Sequence, residues 1–372
     1  MPPRDPRSAF RPAFSRRPGG GANAMKVLIV KTSALGDVVH ALPVLAYLKS
    51  AKPDIRIDWL VEEAFAPLIA DHPLLDRVIV LRTKAWRREG FLPALAGAWR
   101  VIRRLRGQGY DRVLDLQGNS KSGLFTRLAG TARRYGFDRS GVREWPNLLA
   151  TTQRVALCGG DHHISRRALA VARAAVPGGS EQRWAGPLSV GPAAAARVAA
   201  QMQGLGLAHP RAHPLIVLHY GTTWPSKRWR LASWQALAGR LVRTLNATLL
   251  LTWGNEGEKE AATAIAAAGR QALVWPGGPL PDLAALLASV DLVVGCDTGP
   301  VHIAAALGTP TVSIYRATDA RRNAPRGPRH RCLQVPLDCA ACLRKHCERD
   351  RQCSQAVSVD RVFSAVMAHF ER

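Results

Sequence analysis

Asp37 is the carboxylate of the loop 31–37 (Lys-Thr-Ser-Ala-Leu-Gly-Asp), which joins a short apolar run to an amphipathic segment. A carboxylate at the carboxyl end of a strand can take the proton from a bound hydroxyl, which is general-base chemistry. A plainer role also fits. Aspartate caps helix N-termini, and the helix dipole lowers a capping carboxyl and weakens it as a base. Residue types alone leave both roles open. The loop lacks the three-glycine dinucleotide pattern and the Gly-Lys-Ser/Thr ending of a phosphate loop, which argues against NAD or ATP at this position.

The second half of the chain carries three further polar loops. Residues 219–229 place Gly221, Thr222 and Thr223 ahead of Lys227 and Arg228. Adjacent hydroxyls, a glycine and two cations suit a diphosphate. Residues 295–302 read Gly-Cys-Asp-Thr-Gly-Pro-Val-His. There Thr298 and Gly299 would open the free N–H groups of a helix start toward a phosphate, with Asp297 before them and His302 on the first turn. Residues 253–258 set Glu258 where a ribose diol could be held. Each loop alone also reads as an ordinary polar turn. Their common placement on one edge of a sheet is what points to a nucleotide diphosphate.

Cys339, Cys342, Cys347 and Cys353 follow at spacings that could hold a structural zinc. Reduced thiols or a redox-labile pair fit the same spacing. No cluster of His, Asp and Glu elsewhere suggests a catalytic metal.

Strands separated by helix-length segments position these loops. In the first half, strands are predicted at 26–31, 55–61, 77–81 and 111–116. Val38, Ala41, Leu42, Leu45 and Leu48 recur at helical spacing, and 162–175 reads as a second helix. Residues 84–106, rich in Arg and Trp, look irregular. Pro177, Gly178, Gly179, Gly186 and Pro187 mark a linker. Alternation then restarts, with strands at 215–220, 247–253, 272–275, 291–295 and 311–315 and helices between them. The expected organisation is a basic extension at 1–24 outside the ordered fold and a first α/β domain at 25–178. A linker at 179–190, a second α/β domain at 191–357 and a final helix at 358–372, able to pack on either half, complete it. Parallel sheets covered on both faces would leave a cleft between their carboxyl edges.

At 372 residues the chain is sized for two domains. Its net charge of +25 calls for an anionic partner or an arginine-rich composition, and residues 1–24 supply only +4 of it (five Arg, one Asp). No nucleic-acid module is evident, and aromatics are not interleaved with the basic runs. Seven cysteines, five of them between Cys332 and Cys353, do not form a secreted disulfide framework. No apolar run approaches the roughly 20 residues that span a bilayer. Residues 1–24 lack a signal-peptide core, so a cytoplasmic protein is expected.

Taken in order, the motifs resemble glycosyltransferase family 9, the lipopolysaccharide heptosyltransferases, from Met25 to the last helix. They are residues 25–40, Asp58 to Glu63, Asp115-Leu-Gln-Gly118 with Lys121 and Ser122, Thr222-Thr223 with Lys227, and Asp297-Thr-Gly299 with His302. The opening segment is similar to the branch that adds the first heptose rather than the second. The resemblance implies the GT-B fold, with two Rossmann-like α/β domains facing a central cleft. It also implies an inverting, metal-independent enzyme that requires no cofactor. The donor would be ADP-L-glycero-D-manno-heptose and the acceptor the inner Kdo of Kdo2-lipid A, met by a peripheral, monomeric protein at the cytoplasmic face of a Gram-negative inner membrane.

Asp37 matches the family's base, Lys227 its catalytic cation, and Thr222, Thr223, Glu258, Asp297, Thr298, Gly299 and His302 its donor site. Ser33, Gly36, Lys84, Trp86, Arg87, Gln117, Lys121 and Arg143 are the acceptor candidates, with Arg82, Arg88, Arg127 and His163 behind them. A family member with another acceptor, such as the second heptosyltransferase, is the nearest alternative. A basic nucleic-acid-binding protein is the alternative from another class. The cysteine cluster and the extension at 1–24 lie outside the first-heptose pattern.

Overall fold

The computed structural model describes residues 24–160, 162–180, 186–207, 212–267 and 269–371. The expected extension at 1–24, save its last residue, and part of the expected linker lie outside the described residues.

The first sheet comprises β1 (Lys26–Val30), β2 (Arg56–Glu62), β3 (Arg77–Leu81), β4 (Arg112–Asp115), β5 (Arg134–Phe137) and β6 (Gln153–Val155). Its order is β3-β2-β1-β4-β5-β6 and every pair is parallel. The second sheet comprises β7 (Leu215–His219), β8 (Thr248–Thr252), β9 (Ala272–Val274), β10 (Leu292–Cys296), β11 (Thr311–Tyr315) and β12 (His330–Gln334), in the order β12-β11-β10-β7-β8-β9. Its pairs are also parallel.

The first seven helices are α1 (Leu35–Ala41), α2 (Pro43–Ala51), α3 (Ala66–Ile69), α4 (Thr83–Glu89), α5 (Phe91–Arg106), α6 (Ser120–Leu128) and α7 (Ile164–Ala175). The remainder are α8 (Pro192–Gly204), α9 (Leu231–Leu245), α10 (Glu256–Ala266), α11 (Leu280–Ala288), α12 (Gly299–Ala306), α13 (Ala320–Asn323), α14 (Asp350–Gln355) and α15 (Val359–Phe370).

The central strands read as unbroken apolar runs because both faces are covered. Along β1, Val27 and Ile29 enter one core while Leu28 and Val30 enter another. In β7, Leu215 and Val217 join that same first core, and Ile216 and Leu218 point the other way. One apolar core therefore runs between the two sheets. Each sheet reverses its order beside its central strand, between β1 and β4 and between β7 and β10. Ligands bind in the crevice that such a switch point opens at the carboxyl edge. The loops that leave β1, β4, β7 and β10 carry most of the residues singled out above.

Residues 84–106 differ from expectation. They form α4 and α5, broken at Gly90, whose φ of 109° suits glycine. Ala94, Ala98, Val101, Ile102 and Leu105 give α5 an inward stripe, which the surrounding arginines disguise in the sequence. A twelfth strand also follows the one expected to be last. The final helix is settled on the second half: α15 packs on α9 and β11, with Val362, Phe363 and Val366 in that core.

Candidate active site

Where β1 ends, Lys31 is buried. Its Nζ donates to the Leu116 carbonyl at 3.1 Å and lies 3.7 Å from Asp37 Oδ2. Burial pushes the Lys31 ammonium below its usual range, against the pull of Asp37 and Asp115. Asp37 is the third residue of α1. The N-cap is Ala34, which makes no side-chain cap bond, so Asp37 is not the cap. Its side chain keeps 29% exposure, enough to meet a substrate hydroxyl.

The loop is held from the neighbouring strand. Gln117 Oε1 accepts the N–H groups of Thr32 and Ser33, each at 3.1 Å. Asp115 Oδ1 accepts from the Gln117 and Gly118 N–H groups, and its Oδ2 from Ser122, Thr126 and Asn147. A fully buried carboxylate with five donors fixes both switch-point loops of the first sheet.

In the second half, Lys227 Nζ lies 2.8 Å from Asp297 Oδ2 while His302 Nε2 meets Asp297 Oδ1 at 3.0 Å. Asn323 Nδ2 approaches Oδ2 at 3.3 Å. Burial alone would raise the Asp297 carboxyl, but His302 and Lys227 hold it well below the usual range. Lys227 also lies 5.0 Å from the centre of the Trp224 ring. Glu258 is buried beneath Gly221, and its Oε2 accepts the Gly254 N–H at 2.8 Å. A Cβ on Gly221 would come within 2.2 Å of that oxygen, so the glycine makes room for the carboxylate.

The two clusters meet. A Cβ on Gly36 would lie 2.8 Å from His302 Cδ2, and one on Gly299 would lie 2.5 Å from Leu35 Cδ2. Glycines on both sides let the Asp37 loop rest on the start of α12. His40, one helical turn after Asp37, packs against His302 with ring centres 4.4 Å apart and the rings tilted by 56°. Several buried polar atoms at this junction have no protein partner: Thr32 Oγ1, Gln117 Nε2, His40 Nε2 and His302 Nδ1. Unpaired groups of this kind are expected where a polar ligand binds.

The acceptor candidates separate. Lys121 is ion-paired with Glu62, which also accepts from Thr83 Oγ1 at 2.6 Å, and both ends belong to motifs named above. Ser33 and Gly36 lie beside Asp37 in its loop. Arg82 pairs with Glu63 at 2.9 Å. Lys84, Arg87, Arg88 and Arg143 are exposed, and the Arg143 N–H donates to the Gly118 carbonyl. Arg127 is exposed on the last turn of α6, away from the Asp37 loop.

Two acceptor assignments need correction. Trp86 is buried in the core between β3 and α5, packed on Gly97 so closely that a Cβ there would lie 2.5 Å from Trp86 Cε2. Trp86→Ala should cost about 3 kcal/mol of stability in urea unfolding, with ADP affinity by calorimetry unchanged. His163 is buried at the junction of the halves, where its Nε2 meets the Ala324 carbonyl at 2.9 Å.

The cysteine segment has a structural place. Ser226, next to Lys227, donates to the Arg344 carbonyl at 2.5 Å, and the buried Arg316 guanidinium bonds Asp350 and the Arg228 carbonyl. The segment thus braces the Lys227 loop. Among the described residues no three His, Cys, Asp or Glu side chains gather as metal ligands. Burial pushes the Cys353 thiol up.

Sequence reasoning missed Lys31, His40, Arg316 and Asn323. Lys31 alone left a signal, a cation closing an otherwise buried strand.

Burial also depresses several histidines: His163 and His219 titrate at about 4, and His40 well below its usual value. A group with its folded pKa below 6.5 contributes stability that is full above that value and is lost as pH falls toward 4. Thermal unfolding followed from pH 7.5 to 4.5 should show a falling midpoint, steepest below 6.5. A flat profile would contradict the buried, neutral assignment.

The family model for glycosyltransferase family 9 (heptosyltransferase) matches residues 98–352. The chain belongs to glycosyltransferase family 9. It is 36% identical to a Pseudomonas aeruginosa protein named lipopolysaccharide heptosyltransferase 1, over 88% of this chain and 90% of that one. Among solved structures it is similar to the E. coli heptosyltransferase WaaC with ADP, at TM-score 0.74 and 28% identity over 93% of this chain and 100% of that one. The complex of WaaC with ADP-2-deoxy-2-fluoro heptose matches at TM-score 0.71 and 27% identity, covering 92% and 99%. The architecture is that of GT-B, and the protein is a glycosyltransferase of lipopolysaccharide core synthesis.

Proposed function

We propose that this glycosyltransferase moves L-glycero-D-manno-heptose from ADP-heptose to the inner Kdo sugar of Kdo2-lipid A, with inversion at the anomeric carbon. The observation that carries this reading is the contact between the two loops: Leu35 and Gly36, just before the base, rest on Gly299 and His302. An acceptor hydroxyl at Asp37 and a donor diphosphate at the start of α12 would then share one crevice. The ADP and ADP-sugar complexes of the similar E. coli enzyme support the choice of donor.

In the reaction, Asp37 takes the acceptor proton as the hydroxyl oxygen attacks the anomeric carbon. The bond from that carbon to the diphosphate oxygen breaks on the opposite face, and ADP leaves with the electron pair. Lys227, the hydroxyls of Thr222 and Thr223 and the free N–H groups at Thr298 and Gly299 stabilise the charge that develops there. Asp297 and His302 aim Lys227. Glu258 serves the ribose of the donor. Lys227 and the helix start supply the positive charge that a metal would otherwise provide, so transfer proceeds in EDTA.

Lys31 and Lys121 are paired with Asp37 and Glu62, and with the exposed Lys84, Arg87 and Arg143 they would give the acceptor side a cationic lining suited to carboxylates and phosphates. A monomer working at the cytoplasmic face of the inner membrane fits that acceptor. Among the described residues no helix is long and apolar enough to cross a membrane.

Mass spectrometry of two parallel reactions tests the acceptor. Kdo2-lipid A should gain one heptose, and Kdo2-lipid A already carrying its first heptose should gain none. The reverse pattern would assign the second transfer and overturn this acceptor.

A further inference from the structure

The apolar arc of helix α5 is wider than the part it buries. Its inward stripe enters the core of the first domain, while Phe91, Leu92, Leu95 and Trp99 are 52% to 79% exposed. At roughly 3.6 residues per turn, Leu92, Leu95 and Trp99 share a face beside the inward stripe, about 110° round the helix from its centre. Isolated exposed apolar residues are ordinary, but this run covers successive turns of one helix.

It also has neighbours. Helix α6 packs against α5 and against the 3-10 turn Trp145–Leu149, adding exposed Leu124, with Trp145 and Leu149 each 70% exposed. A rim of one sign frames the surface. Residues 82–106 hold eight Arg and Lys against one Glu, with Arg87, Arg88, Arg100 and Arg103 exposed.

Topology decides where the patch lies. Helix α4 leaves the carboxyl edge of the first sheet after β3, and α5 descends to β4. The apolar first turns of α5 therefore lie toward the edge that carries Asp37. Trp145 belongs to a segment tied to the same edge, since the Arg143 and Glu144 N–H groups both donate to the Gly118 carbonyl.

We infer that this face is a membrane-docking surface: the outer side of α5, with Leu124, Trp145 and Leu149, seats in the headgroup region of an anionic bilayer. Aromatic and aliphatic side chains enter the interfacial layer, and the arginine rim meets the negative lipid headgroups. The placement turns the crevice edge toward the lipid surface. The inference deepens the lipid-acceptor reading and rests on it for its purpose, while the surface itself is read from exposure and charge.

The test is vesicle flotation of the full chain, with no acceptor present. Vesicles are phosphatidylcholine alone or phosphatidylcholine with about 30% phosphatidylglycerol. Wild type should bind the anionic vesicles at least about tenfold better than the neutral ones. The combined variant Leu92→Ser, Leu95→Ser, Trp99→Ser should lose about tenfold or more of that binding, with its thermal midpoint unchanged because these side chains are exposed. Arg100→Gln with Arg103→Gln should weaken binding and its salt dependence together.

Wild-type flotation by the Leu92, Leu95 and Trp99 variant would overturn the inference, leaving charge alone as the attraction. So would a shift from dimer to monomer in sedimentation with flotation unchanged, which would assign the face to a second copy of this chain. Failure of the acceptor reading would show separately, because these vesicles contain no acceptor. With a deacylated, water-soluble acceptor, the apolar variant should turn over like wild type.

Discussion

Asp37→Ala should lower kcat by about 10³-fold and leave ADP affinity unchanged. The carboxylate sits at the third position of α1 and is not the helix cap, so its removal leaves the helix start as it was. Among the described residues it has no partner in the second half, where the donor would bind, so calorimetric titration with ADP should not distinguish the variant from wild type. Lys31 loses its 3.7 Å neighbour but keeps the Leu116 carbonyl and the nearby Asp115, and the buried loop stays in place. Asp37→Asn should be as inactive as Asp37→Ala, because a neutral amide cannot accept the proton. Turnover like wild type in either variant would remove Asp37 as the base.

Lys227→Ala should act on binding and turnover together. Loss of one preorganised donor to a developing negative charge typically costs about 10² to 10³ in rate, or roughly 3–4 kcal/mol. ADP affinity should also drop, by about tenfold for a lost charge-assisted contact. Asp297 keeps His302 and Asn323 as partners, so the loop should hold its shape. Lys227→Arg should not restore full activity, because a planar guanidinium cannot repeat the single ammonium contact with Asp297 at 2.8 Å. Steady-state kinetics beside ADP calorimetry check both halves of this expectation. Unchanged ADP affinity with unchanged kcat would take Lys227 out of the donor site.

The alternation of buried apolar runs with helix-length segments made the parallel sheets legible, and β11 and α15 lie where their residue patterns place them. Helix α5 was not legible. Its apolar residues spread over about half the helix circumference with exposed Leu and Trp at one margin, so the buried stripe has no sharp edge among the arginines. Strands β5 and β6 are short, and of their apolar side chains only Phe137 is buried, which leaves little pattern to find.

At the site, Asp37, Lys227, Asp297 and His302 could be singled out because each lies in a loop or first helical turn that follows a strand's carboxyl end, while the roles of Asp37 and Lys227 came from the family resemblance. What joins them could not. The packing of His40 on His302 and the rest of Gly36 against it depend on how the two halves pack, and residues 37 and 302 carry no sequence sign of that meeting. Trp86 was misplaced for a related reason. A tryptophan amid basic residues reads as surface until the glycine that receives it, Gly97, is found on the next helix.

The most direct test of the central claim is transfer of radiolabelled heptose from ADP-heptose to purified Kdo2-lipid A by the full chain, with EDTA present throughout. Labelled lipid at wild-type rates, lost in Asp37→Ala, is the expected result, and it joins donor, acceptor and metal independence in one reaction. No labelled product from protein that still binds ADP would contradict the proposed acceptor or the independence from metal, and product regained on adding a divalent cation would single out the latter.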